Sequence, residues 1–400
     1  MKKTIFILTV LIISSMLLQT ASAATAITSC TTITSPGEYY LSSNIINSGN
    51  TVCIDITANN VVLDCQNNII DGVDSYTTKG ILIDRTSATD TNITIKNCVV
   101  TDWRYGIYLN NADNNTLTDN NVSDNYFGIH TWHSDNLMVK NNNVESNNKG
   151  ICMGYSQNCI VKDNTMLLNE KGIYMSYCGN NNISANDVYD NDEGIYLTLS
   201  THNIVSNNTV YDNYNGIYLF SSNNQNSVID NNASENQYGI ILQNYCTNNL
   251  VKSNIVKNNI KKGIYVKQES EDNTIRSNIV QNNGWNGIHI DRSNNNLIYN
   301  NYFDNVNNTK EYLSANTWNA VNQSGPNIIG GPYIGGNYFS DYPGNDTDGD
   351  GFGETHYDIE GGYSQDNLPL IPEVPTIFLS FGIVFLSLFA RRANGCCSFK

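Results

Sequence analysis

A Gly-Ile pair recurs along this chain at Gly80, Gly106, Gly128, Gly150, Gly172, Gly194, Gly216, Gly239, Gly263 and Gly287. The intervals are 26, then five of 22, then 23, 24 and 24 residues. A period of this size marks a unit that cannot bury its own apolar face and must stack on copies of itself. One unit, Gly194 to Asn215, reads GIYLTLSTHNIVSNNTVYDNYN. Ile195 and Leu197 alternate with Tyr196, the period of a strand. Further short strands centre on Ile204 and Val210, with Asn and Ser at the corners between them. No ten-residue stretch combines helical spacing with helix formers. That sets aside a leucine-rich repeat, which shares the period and an Asn ladder but has a different signature. The pattern predicts an all-β chain: a right-handed parallel β-helix of about ten or more coils of 22–26 residues, capped at both ends.

Composition agrees. Of 400 residues, 68 are Asn, a poor helix former and a good turn former. Asn120, Asn142, Asn164, Asn186, Asn208, Asn231, Asn254 and Asn278 share one repeat position. They are expected to form an internal ladder, bonding coil to coil at about 4.7–4.9 Å and tolerating the left-handed corner conformation. A parallel Ser column is expected at Ser134, Ser156, Ser200, Ser222 and Ser293, with Cys178 and Cys246 in the same position. Cys152 and Cys159 are read, like these two, as small buried residues.

Residues 1–23 carry Lys2-Lys3, an apolar stretch and Ala21-Ser22-Ala23, the parts of a secretory signal peptide. An extracytoplasmic chain with Cys30, Cys53, Cys65 and Cys98 near its start is expected to form disulfides there, with three pairings open. Residues 24–79 read as the N-terminal cap and first coils, 80–310 as the regular solenoid, and 311–371 as a C-terminal cap. Residues 372–400 hold Pro372-Glu373-Val374-Pro375, a short apolar run and Arg391-Arg392. This arrangement resembles the C-terminal sorting signals read by exosortases and archaeosortases, which implies exchange of the tail for a surface lipid. Eight residues follow the Arg pair, where such signals usually stop, so a retained membrane anchor is the alternative. Without its ends the chain carries 16 basic and 36 acidic residues. The whole chain has a net charge of −16, which argues against a nucleic-acid partner.

The Gly-Ile-Tyr repeats resemble the β-helix repeats of the NosD family, which overlaps the carbohydrate-binding and sugar-hydrolysis β-helix group. The likeness extends to Gly336-Asn337-Tyr338-Phe339-Ser340-Asp341-Tyr342, to the Asp346–Gly351 run and to Gln365-Asp366-Asn367-Leu368-Pro369-Leu370. It covers about Cys30 to Ile371 and implies the fold, an extracytoplasmic site and, from the family's label, copper. The same coil hosts lyases, hydrolases, epimerases and passive binders, so it does not fix an activity.

Three groups of residues are candidates for function. The third repeat position points outward and holds Tyr108, His130, Cys152, Tyr174, Tyr196, Tyr218, Ile241, Tyr265 and His289, with Trp132 and Phe220 two residues further on. An exposed aromatic strip can stack on sugar rings. Asp346, Asp348, Asp350 and Glu354, with Gly351 at the sixth position, follow the pattern of a short acidic calcium loop. His130 and Cys152, adjacent across two coils, with His133 and Met153 nearby, are the weak copper candidates. Asp124, Asp190 and Asp212 share a late-coil position, and Asp102–Arg104 and Asp291–Arg292 are acid–base candidates, but no compact cluster specific to a lyase or hydrolase stands out. The leading expectation is a secreted, surface-anchored protein that binds polysaccharide or cell-envelope glycan. The alternatives are a polysaccharide lyase, hydrolase or epimerase, and a NosD-like periplasmic copper-binding accessory protein.

Overall fold

A computed structural model describes residues 23–372. The expected signal segment (1–23) and sorting segment (372–400) fall outside it, save Ala23 and Pro372. The described chain is a right-handed parallel β-solenoid of about 13 turns with no helix. Each coil visits three sheets in order. In one unit the strands are Glu193–Thr198, Ile204–Ser206 and Thr209–Tyr211. Two sheets have 13 strands and the third has 12. Pairing is parallel and in register: Ile195 lies beside Ile173 and Ile217, and Tyr196 beside Tyr174 and Tyr218.

Short strands with small corners leave a narrow interior, filled by single columns of aliphatic side chains. Ile173, Ile195 and Ile217 line it from the first sheet, Ile183 and Val205 from the second, and Val188 and Val210 from the third, all fully buried. The repeated Gly is required by close approach. A Cβ at Gly194 would sit 2.6 Å from the Gly216 carbonyl oxygen and 3.0 Å from Val210 Cγ1.

The predicted Asn ladder is present. Asn208 Nδ2 donates to Asn231 Oδ1 at 2.9 Å and to the Ile183 carbonyl at 3.0 Å. Its own Oδ1 accepts from Asn186 Nδ2 and from the Asn186 backbone N–H, both at 2.9 Å. Two further ladders, not anticipated, run at the other corners. One contains Asn125, Asn147, Asn169, Asn191 and Asn213; the other contains Asn181, Asn203, Asn226, Asn249 and Asn273. The ladder Asn and the left-handed residue are different residues. Asn207 has φ 55°, whereas Asn208, its neighbour, holds the ladder. The Ser column is confirmed at Ser134, Ser156, Ser200 and Ser293, with Cys178 and Cys246 in it. Ser222 is not in it: the coil there is one residue longer, and Asn223 accepts the Ser200 N–H at 3.1 Å.

Of the three pairings, the structure contains Cys30–Cys53 and Cys65–Cys98. Cys98 stands at the head of the predicted ladder, donating its N–H to Asn120 Oδ1 at 3.0 Å. At the far end Asn301 bonds Asn337, and Asn337 bonds Asp366. Asp366 is fully buried and accepts N–H groups from Asn337 at 2.7 Å and Leu368 at 3.0 Å, and Nδ2 of Asn337 at 2.9 Å. Burial outweighs these bonds and pushes its carboxyl up to about 7.

Two predictions follow from the ladder. Asn208→Ala orphans the buried Asn186 N–H and the Ile183 carbonyl, and is expected to cost about 2–4 kcal/mol. Thr209→Ala, at an exposed neighbour, should leave the thermal melt unchanged; equal melts for both variants would refute the ladder's role. For Asp366 the unfolded value is about 3.9 and the folded value is higher. The folded state therefore holds the extra proton, and stability falls as pH rises from about 4 to about 7. Asp366→Asn keeps an acceptor for Asn337 and should remove that decline, on the order of a few kcal/mol, from the pH dependence of Tm.

Candidate functional site

The outward face of the first sheet carries three columns of side chains. The predicted tyrosine column forms the middle one, in register from Tyr108 through His130, Cys152, Tyr174, Tyr196, Tyr218, Ile241 and Tyr265 to His289. It is half-buried rather than an exposed strip, because coil spacing brings neighbouring rings into contact. Tyr174 stacks on Tyr196 at 5.5 Å, and Tyr265 on His289 at 5.1 Å. Phe220 packs on Tyr196 at 6.1 Å and edge-on to Tyr218 at 5.6 Å. Lysines lie over the rings: Lys149 is 4.5 Å from the Tyr174 centroid, and Lys171 is 5.2 Å from that of Tyr196. Burial pushes the Tyr108 and Tyr265 hydroxyls up to about 12, so they act as neutral hydrogen-bonding groups. Tyr218 donates to Gln243 Oε1 at 2.6 Å.

Trp132 is arranged differently. The next coil has Gly154 at the paired position. A Cβ there would fall 2.4 Å from Trp132 Cε3 and Cζ3, so the indole lies over the glycine. The residue remains 37% exposed. Beside it runs a corner stack: His133 on Tyr155 at 4.8 Å, and Tyr155 on Tyr177 at 4.7 Å with 2° between planes. Trp132 meets Tyr155 edge-on at 4.8 Å. Tyr155, Gln157, Tyr177 and Thr201 line an adjoining groove of ≈ 280 Å³. Tyr155 and Tyr177 were not anticipated. The 22-residue steps from His133 to Tyr155 and from Tyr155 to Tyr177 were the available signal, hidden because they lie in the corner, at φ 51° and 55°.

The donors around His130 do not fit a copper centre. His130 and Cys152 are register partners, but Met153 faces the core and is fully buried. Burial pushes the Cys152 thiol up to about 12 and holds His130 down to about 4. His130 is thus neutral, but the protonated thiol is a poor metal ligand, and no third donor joins the pair among the described residues.

The acidic loop brings Asp346, Asp348 and Glu354 together, with ligand atoms within 4.8 Å of one another. Asp346 accepts the N–H of Gly349 at 2.7 Å and of Gly351 at 2.9 Å, glycines at φ 82° and 87°. Asp350 stands outside the group, its Oδ1 accepting from Phe352 N at 2.9 Å. The Asp350 backbone N–H draws the Asp348 carboxyl down, but slight burial and the charges of Asp350, Glu354 and Asp346 leave it raised. The Thr347 hydroxyl and N–H hold Glu354 down.

The acid–base candidates remain dispersed. Asp124, Asp190 and Asp212 occupy left-handed corners; Ser146 and Leu168 hold this position between Asp124 and Asp190, while Asp190 and Asp212 lie in adjacent coils with no base beside them in the column. Asp102 is raised by burial and by Asp71. Arg104 does not pair with it, and instead lies 3.4 Å from the Tyr126 ring and 4.5 Å from that of Tyr76. Arg292 Nε bonds Asp291 Oδ1 at 3.1 Å.

The family model of NosD, described as a periplasmic copper-binding protein, matches residues 24–237 and 189–344. No curated protein matches. Among solved structures, the Dettilon tailspike protein is similar at 19% identity and TM-score 0.53, over 64% of this chain and 59% of its own. The chain therefore spans under two thirds of the tailspike. A periplasmic alginate epimerase mutant is similar at 16% identity and TM-score 0.52, over 65% of this chain and 73% of that one. The A-module of a mannuronan C-5 epimerase from Azotobacter vinelandii is similar at 15% identity and TM-score 0.50, over 72% and 86%. These likenesses show the shared fold.

An oxygen set of this kind suits a hard divalent cation. Calcium is expected to raise the Tm of the wild-type protein, and Asp348→Ala to lose that rise. A melt insensitive to calcium in both would remove the loop as a metal site.

Proposed function

The chain belongs to the NosD family, and on that premise we propose that it binds polysaccharide along the outward face of its first sheet, without cleaving it. The observation that carries this reading is Trp132, laid over Gly154 with a third of its surface open and a wall of stacked rings at its edge. A flat indole beside aromatic edges and neutral hydroxyls is the surface on which sugar rings stack and hydrogen-bond. The half-buried Tyr174, Tyr196 and Tyr218 continue the face as a floor, with coils repeating at about 4.7–4.9 Å, roughly one sugar residue. The alginate and mannuronan epimerase neighbours support a carbohydrate context for the fold, and the dispersed acid–base residues favour binding over catalysis. The family's periplasmic description agrees with an extracytoplasmic location. In this reading the C-terminal segment anchors the protein at the cell surface, and the copper of the family's name has no role at His130 and Cys152.

Trp132→Ala is expected to weaken retention on the bound polysaccharide about ten-fold, near 1.4 kcal/mol. Its Tm should stay that of the wild type, because the side chain faces outward. Wild-type retention by the variant would move the site off this face. Release of reducing or unsaturated ends from the same glycans would replace binding by hydrolysis or elimination.

A further inference from the structure

We propose that the C-terminal part of this face, around Lys262, Lys267 and Arg292, binds the carboxylates of an acidic polysaccharide. The inference rests on the polysaccharide reading above and names the class of glycan. Lys262 and Lys267 flank Tyr265 on one strand, and their Nζ atoms lie 3.4 and 4.6 Å from its ring centroid. Two like charges thus share one ring. Among the described residues, neither ammonium comes within 4.0 Å of a carboxylate oxygen. Asp291, the register partner of Lys267, is engaged by Arg292. On the second sheet, by contrast, Lys96 and Lys162 pair with Asp64 and Asp163.

Burial works against the ammonium form, lowering Lys262 to about 8 and also lowering Lys267. Asp291 offsets this only in part for both lysines, and a bound carboxylate would add the remaining countercharge. His289, stacked on Tyr265, is held down to about 4 by burial, so the charge here comes from the lysines and Arg292. The next corner supplies the other half of a sugar site. A groove of ≈ 220 Å³ is lined by Asn244, Tyr245, Gln268, Glu269 and Arg292. Amides, the Glu269 carboxylate and a half-exposed tyrosine suit hydroxyls, while Arg292, bonded to Asp291 through Nε and Nη2, keeps Nη1 for a carboxylate. The chain's net charge of −16 does not forbid a polyanion, since exposed charges are screened beyond about 8 Å at physiological ionic strength.

The test measures retention of the full-length protein by polygalacturonate, by its methyl ester, by dextran sulfate and by a neutral glucan. Polygalacturonate is expected to bind. Esterification, which keeps the backbone and removes the charge, should weaken binding at least ten-fold. So should the double variant Lys262→Gln plus Lys267→Gln, while Lys262→Arg plus Lys267→Arg and the second-sheet control Lys140→Gln retain it. Tm of each variant separates lost binding from lost fold, and the Arg pair tests the site should the Gln pair unfold. Equal binding of acid and ester overturns the inference. So does equal, lysine-dependent binding of dextran sulfate, which would mark unselective charge attraction. Binding of the glucan alone, sensitive to Trp132→Ala, overturns the inference and leaves the polysaccharide reading standing. Binding of none of the four overturns both.

Discussion

The side-chain amide that bonds to the next coil is the constraint on which the rest of this solenoid depends. A coil of 22 residues with three short strands has three sharp corners, and each corner turns buried backbone N–H and C=O groups away from the sheets. At one corner Asn208 answers these at once, donating to Asn231 in the coil above and to the Ile183 carbonyl in the coil below, and accepting two bonds from Asn186. Because donor and acceptor belong to the same group, every rung requires another rung. The series must therefore end on something chemically different. At one end it ends on a covalent bond, with Cys98 in the Asn position and joined to Cys65. At the other it ends on a carboxyl group, the buried Asp366, whose oxygens accept the last amide. The C-terminal cap is thus tied to the core through a titrating group.

The first sheet and one ladder were legible because Gly-Ile recurs with constant spacing through five coils. The other two ladders use the same residue type at the same period, but Asn is so abundant here that no single column stands out by eye. Ser222 was misplaced because one inserted residue shifts the corner and leaves the strands alone, so Asn223 takes the rung. The disulfide pairing could not be read from spacing, since it depends on which corner each Cys occupies. Trp132 was visible as an outward aromatic, but its openness depends on Gly154, 22 residues later, and that pairing is visible only once coils are aligned. Asp350 fits the loop motif in sequence, yet its carboxylate turns to the backbone N–H of Phe352 and leaves the group.

Charge follows the same geometry. Eleven residues in the left-handed corner conformation are Asp or Glu, and one, Arg292, is a strong base. Asp tolerates that conformation and bonds its own backbone locally, which long basic side chains do not. The described lysines other than Lys261 accordingly sit on strands, where their stems can lie over aromatic rings. A strongly acidic chain can in this way present basic, aromatic strips on its sheets, bounded by acidic corners.

Inside and outside are therefore set by separate rules. The interior admits aliphatic columns, amide rungs and a Gly whose Cβ would strike the coil above, and variation there is penalised along the whole axis. The outward positions of the first sheet meet no such demand. Over successive coils one of them changes from Tyr to His to Cys and back to Tyr without altering register. Where a scaffold leaves a position free, the residues that fill it report on what the surface contacts. On this face they are rings, hydroxyls and lysines, of which Lys262 and Lys267 have no carboxylate within 4.0 Å, and that is the basis for reading it as a surface built for a long, charged, ring-containing polymer lying along the axis.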